Sequence, residues 1–320
     1  MRSQSADAAA KLILLGEHAV VYGHAALAIP LGKPRAMAVV SRAAAGRPVS
    51  VELPDLGLRW DGTAPVPRDA ETFARVIRAA AERFPAVPRE GWKLTVRSQI
   101  PFGCGLGSGS AVAAASFRAI GRFFRVPISP PLLSKMVFAI EKLHHGNPSG
   151  IDNTVVAIGR PILFRKGRAP RFLAAPRSPC LMVIGHTGVK HRTSEIVAAV
   201  SRARGKDPAR YAALFRDIGR LSGQGAKAFQ ASRWQELGRL MDRNQELLED
   251  IGVSSPKLGT LIRAARKAGA LGAKLTGAGR GGCMTALCAD AAVARRTARA
   301  LKAAGAAAIF ITEVSRNGKA

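Results

Sequence analysis

Four glycines at alternate positions, Gly103, Gly105, Gly107 and Gly109, lie in the run Pro101-Phe-Gly-Cys-Gly-Leu-Gly-Ser-Gly-Ser110, and the mostly apolar, helix-like stretch Ala111 to Phe124 follows at once. No other segment limits the possible folds as strongly. Glycine takes positive φ without steric cost and lets a backbone come close to a ligand. A helix start offers N–H groups without intrahelical acceptors and the positive end of the macrodipole, which together attract phosphate. An ordinary glycine-rich turn is the plainer reading of the same residues. The loop is not of the Walker A type, because no GxxxxGK[ST] occurs; Gly32-Lys33 is followed by Pro34 and lacks the upstream glycine. Gly277-Ala-Gly-Arg-Gly-Gly282 satisfies GxGxxG, but it lies between two strand-like runs rather than opening a helix, which disfavours a dinucleotide fold.

Around this loop the pattern predicts mixed structure. Lys11–Leu15 is a strand-length apolar run, with Gly16-Glu17-His18, Ala19–Tyr22 and Ala25–Leu31 reading as loop and resumed strand. Further strands are expected at 51–53, 58–60, 93–97, 161–164, 180–184, 271–276, 283–289 and 308–314. Helices are expected at 72–84, 111–124, 193–204, 208–229, 233–251, 256–268 and 291–304, and one more from Pro130, with Ser129 as N-cap, to Gly146. Asn147–Gly150 is a turn. The rhythm changes near Pro176–Pro179, which divides the chain into 1–177 and 178–320.

Lys plus Arg is 49 and Asp plus Glu is 21, a formal charge of +28. That favours anionic partners, but the basic residues are spread along helices and aromatics are only 5%, so no stacking platform for a single strand is evident. With 48% apolar residues the chain can bury a core. No apolar run reaches the roughly 18 residues of a membrane span. Met1–Ala10 does not read as a secretory signal, and a cytoplasmic location is expected. Cys104, Cys180, Cys283 and Cys288 form no CxxC pair and read as buried thiols.

Glu141, in the last turns of its helix, and Asp152, after the turn that ends it, are carboxylates that could hold magnesium or accept a proton. A surface glutamate and a turn-capping aspartate are the alternative. Lys11 by itself reads as a solvated lysine at a strand end. His144-His145 fit partners of a helix C-terminal dipole better than metal ligands.

Taken together, these segments resemble the GHMP kinase superfamily, and within it the mevalonate kinase family. The likeness rests on Lys11–Gly23, Pro101–Ala111, His145-Gly-Asn-Pro-Ser-Gly-Ile-Asp-Asn153 and Lys274–Cys283, in the family's order, with minor matches at 51–57, Thr187–Thr193 and Asn244-Gln245. The resemblance implies an α+β, two-domain GHMP kinase fold, with an N-terminal domain like ribosomal protein S5 domain 2 and a ferredoxin-like C-terminal domain. It implies transfer of the ATP γ-phosphoryl group to the 5-hydroxyl of mevalonate, with Mg2+. Asp152 and Lys11 would be catalytic. Gly103, Cys104, Gly105, Leu106, Gly107, Ser108, Gly109 and Ser110 would bind ATP. Glu17, His18, Thr193, Gly277 and Ala278 would line the substrate, and Glu141 and Ser110 would hold the metal. A homodimer is conceivable, with no dedicated nucleic-acid site and no membrane.

Three departures stand out. Gly109 replaces the second serine of the family's Gly-Leu-Gly-Ser-Ser-Ala loop, which contacts magnesium there. Ala9-Ala10 stands where Pro-Gly is usual. Arg280 takes a position often held by a small residue, where a phosphate contact is conceivable. Another small-molecule kinase of the superfamily, acting on phosphomevalonate, homoserine or a sugar, is the near alternative; a nucleic-acid-binding protein on the same scaffold is the distant one.

Overall fold

The computed structural model describes residues 3–101, 103–145, 148–189 and 193–314, without the side chains of 143–145. The His144-His145 side chains, Asn147 and residues 190–192 of the Thr187–Thr193 match therefore lie outside the described residues. The chain forms two compact units, and neither is a continuous stretch. One comprises Met1–Ala10, Pro34–Phe102 and Gly107–Ile158; the other comprises Lys11–Lys33, Gly103–Leu106 and Gly159–Ala320. The end of the first strand and the start of the glycine loop group with the C-terminal half.

Two long strands, β1 (Ser3–Leu15) and β2 (Ala26–Arg42), pair with one another and contribute to both units. In the first unit come β3 (Ser50–Leu53), β4 (Leu58–Trp60), α1 (Glu71–Arg83), β5 (Trp92–Ser98), α2 (Ser108–Phe124), α3 (Pro130–His145) and α4 (Ile151–Ile158). β5 runs antiparallel to β2 from Ala36↔Ser98 to Arg42↔Trp92, and parallel to β3. The amphipathic α1 buries Phe73, Val76 and Ala80, one helical stripe. α2 is buried on several sides because α1, α3 and α4 all pack on it, and its alanines allow that approach.

The second unit continues with β6 (Ile162–Phe164), β7 (Arg171–Phe172), β8 (Cys180–His186), α5 (Thr193–Lys206), α6 (Pro208–Gln230), α7 (Trp234–Asp250), α8 (Pro256–Lys267), β9 (Gly272–Thr276), β10 (Cys283–Cys288), α9 (Ala291–Ala303) and β11 (Ala308–Val314). β6 pairs with Ala26–Ala28 of β2. The last four strands form an antiparallel sheet in the order β11-β8-β10-β9, the ferredoxin-like arrangement, with α5–α8 inserted in the first crossover. Helix starts follow their punctuation: Asp207, Ser255 and Asp290 accept the Arg210, Leu258 and Val293 N–H groups at 3.1, 3.3 and 2.8 Å. β9 and β10 are buried along their whole length, so both faces are covered. All four thiols are buried and none is in a disulfide.

Three local expectations change. Ala19–Tyr22 is a 3-10 turn, not a strand; Tyr22 stacks on Phe215 of α6 at 4.4 Å, and that packing overrides β propensity. β2 continues past Leu31 to Arg42, with Pro30 and Pro34 falling between the stretches that pair with β6 and with β5. β1 begins at Ser3, so Lys11 is a buried mid-strand residue and not a solvated strand end.

Candidate active site

The glycine loop takes the conformation its composition permits. Gly103, Gly105 and Gly107 have φ of +73°, +74° and +71°. Gly107 is the N-cap of α2, and the first i→i−4 bond runs from Ala111 N–H to Gly107 C=O at 2.9 Å. The N–H groups of Ser108, Gly109 and Ser110 therefore have no intrahelical acceptor, and Gly107 has no side chain to cap them. That turn is equipped for an anion.

In the second unit the loop's first half is braced from two sides. Lys11 N–H donates to Leu106 C=O at 3.0 Å. A Cβ on Gly105 would lie 2.7 Å from the Gly277 Cα, and the converse holds equally, so two backbones touch where only glycine fits. The Gly277–Gly282 segment thus abuts the loop. Cys104 and Leu106 turn their side chains inward, and only their backbones can meet a ligand.

In the first unit, Ser110 on α2 donates a hydrogen bond to Glu141 on α3, and both side chains are buried. α4, which carries Asp152 in its first turn, is fastened at both ends. Asn153 Nδ2 donates to Ser134 C=O at 3.1 Å and to its Oγ at 2.9 Å. The Arg118 guanidinium donates to the Val156 and Ala157 carbonyls at 3.2 and 3.0 Å, satisfying the helix C-terminus. Asp152 is half-buried.

The second unit also holds Lys11, Glu17, His18, Gly277 and Ala278. Ala19 N–H donates to Glu17 C=O at 2.7 Å, an i→i+2 bond that makes His18 the centre of a γ-turn with φ +61° and ψ −50°. Such a positive-φ γ-turn is rare and strained, and strain of this kind gathers at functional residues. His18 Nε2 meets Ala278 C=O at 2.9 Å, so Nε2 carries the proton. Burial pushes its pKa down to about 4, and the ring is neutral at pH 7. Thr193 opens α5 and is exposed. Arg280, exposed, donates from Nε to Gly252 C=O at 3.3 Å, so that edge of its guanidinium is held by backbone.

Two residues absent from the expected site enter it. Lys274 of β9 forms an ion pair with Glu17, both side chains being essentially unexposed. Asn244 of α7 accepts Gly16 N–H at 3.3 Å. Lys274 heads the Lys274–Cys283 match and Asn244 lies in the Asn244-Gln245 match, but neither has a role in the expected site; a cation inside a fully buried strand is a further signal.

Residues 71–160 match the GHMP kinases N terminal domain and residues 226–307 the GHMP kinases C terminal domain. The mevalonate kinase of Thermococcus sibiricus is 36% identical, covering 98% of this chain and 96% of the relative. The chain belongs to the GHMP kinase family. That of Pyrococcus furiosus is 35% identical, again covering 98% and 96%. Among solved structures, L. major mevalonate kinase in complex with R-mevalonate superposes with a TM-score of 0.85 at 25% identity, covering 98% of this chain and 96% of that one. The α+β GHMP kinase fold is therefore established, and this member of the family is an ATP-dependent small-molecule kinase. Among the described residues, no helix is long and apolar enough to cross a membrane.

Proposed function

We propose that this chain transfers the ATP γ-phosphoryl group to the 5-hydroxyl of mevalonate. The observation that carries the reading is the likeness, along nearly the whole chain, to relatives of that name at 36% identity. The local geometry supports it. The open N–H groups at the start of α2 would hold phosphate oxygens, and the dipole would favour their charge. Phosphoryl transfer needs mainly positioning and neutralisation of charge, which oriented donors supply.

Asp152 would take the proton of the alcohol, or orient it, from a helix fixed at both ends. Lys11 would stabilise the developing alkoxide. Glu17 and neutral His18, with Thr193, Gly277 and Ala278, would meet the acceptor. Magnesium fits the donors present: a carboxylate, Glu141, and a hydroxyl, Ser110, are hard oxygen ligands already adjacent to each other. The ion would be held by one carboxylate together with phosphate oxygens, as magnesium commonly is. When bound, the ion would neutralise charge on the phosphates.

The test is acceptor-dependent ADP release with mevalonate, phosphomevalonate, homoserine and a hexose. Mevalonate is expected to give by far the highest kcat/KM; turnover on another acceptor with none on mevalonate would reject the substrate.

A further inference from the structure

The Glu17–Lys274 pair has features that packing does not account for. Lys274 Nζ donates to Glu17 Oε1 and to the Leu275 carbonyl, while Glu17 Oε2, equally buried, makes no hydrogen bond within the protein. A buried acceptor without a donor is costly. A buried ion pair is often no more stabilising than apolar residues of the same volume, so stability alone does not explain it. Its surroundings are closely defined. Gln245 Oε1 accepts Leu275 N–H at 2.9 Å on one side, and Asn244 holds Gly16 N–H on the other. The strained turn at His18 follows Glu17 directly.

We propose that Lys274 is a positioning residue, which fixes Glu17 Oε1 away from water and leaves Oε2 to accept a hydrogen bond from a hydroxyl of the acceptor substrate. This rests on the reading of the chain as a mevalonate kinase. Burial raises the Glu17 pKa and lowers that of Lys274, and each partner opposes the other's shift, with a smaller effect on Glu17 from Lys11 on β1. His18, next in the chain, stays neutral and is itself faced by Arg280 and Lys274. Without Lys274 the charge that opposes burial is gone, and the protonated, weaker-accepting form of Glu17 is favoured.

The experiment is steady-state kinetics from pH 6 to 9, varying mevalonate and ATP separately. It compares wild type, Lys274→Met and the double variant Glu17→Gln/Lys274→Met, which leaves no unpaired buried charge. Lys274→Met is expected to raise KM for mevalonate about tenfold at pH 7, the cost of one poorly made hydrogen bond to a charged group. KM for ATP should stay within about twofold, and the mevalonate defect should be larger at the acid end of the range than at the alkaline end, the direction that a raised Glu17 pKa dictates. The double variant should fold with a wild-type unfolding temperature and show the same rise in KM at every pH. Should Lys274→Met fail to fold, the double variant decides the matter. A wild-type mevalonate KM in the double variant, or a pH-independent loss shared by both substrates in Lys274→Met, would overturn the proposal. Absence of mevalonate turnover in the wild type would instead remove the functional reading, and the proposal with it.

Discussion

Three glycines of the glycine-rich loop differ in backbone conformation or in what a methyl group would meet, and alanine at each separates backbone strain from steric overlap. At Gly105 both operate. Its φ of +74° costs an L-residue roughly 1–2 kcal/mol. Its Cβ would lie 2.7 Å from Gly277 Cα and 3.0 Å from the Thr276 carbonyl oxygen, and overpacking of this kind costs roughly 1–3 kcal/mol. The sum is about 2–5 kcal/mol if nothing moves. Opening the contact to an ordinary 3.4 Å moves the loop by about 0.7 Å (3.4 − 2.7), and misplacement near 1 Å costs up to about 10²-fold in rate. Gly105→Ala should therefore lower both the unfolding temperature, by several degrees, and kcat/KM for ATP, by about 10–100-fold. Gly103 has φ +73° but open space around it, so Gly103→Ala should cost only the strain, roughly 1–2 kcal/mol, with ATP kinetics nearly intact. Gly109 has neither problem and lies in α2, where alanine is favoured over glycine by up to about 1 kcal/mol. The checks are thermal unfolding and ATP-dependent kinetics on the three variants. Equal damage at Gly103 and Gly105, or wild-type ATP kinetics in Gly105→Ala, would refute the reasoning.

Asp152→Asn should lower kcat by about 10²–10⁴ with KM for ATP little changed; unaltered turnover would take Asp152 out of the chemistry. His18 has a folded pKa of about 4 against an ordinary 6.5, so protonation favours the unfolded chain. Its contribution is complete above pH 6.5 and is lost as pH falls towards 4, about 3 kcal/mol in all, and urea midpoints from pH 7.5 to 4.5 should fall less steeply in His18→Asn than in wild type. Ser110→Ala removes the donor that orients Glu141, and should raise the magnesium needed for half-maximal rate by about tenfold, as loss of a ligand's hydrogen-bond partner does; an unchanged magnesium titration would separate this pair from the metal.

Much of this protein is written locally. Helix starts at Asp207, Ser255 and Asp290 follow from a side-chain acceptor three residues before the N–H it caps. The glycine loop and its helix were legible because positive φ and open N–H groups are properties of a few consecutive residues. The order of the last four strands followed from the family resemblance and not from their own periodicity.

What the sequence alone did not determine is where distant residues meet. Nothing in the spacing of Gly105 and Gly277 says that each must be glycine because of the other; the reason is one backbone pressed on another. Lys11 reads as solvated until β1 is extended upstream and buried. Ala19–Tyr22 has the composition of a strand and becomes a 3-10 turn because Phe215 receives Tyr22. Lys274 is a lone cation in an apolar run until Glu17, 257 positions away, comes to meet it. Propensity and capping act within a few residues of chain, whereas burial, desolvation and close packing depend on what the folded chain places alongside, and those contacts exist only in three dimensions.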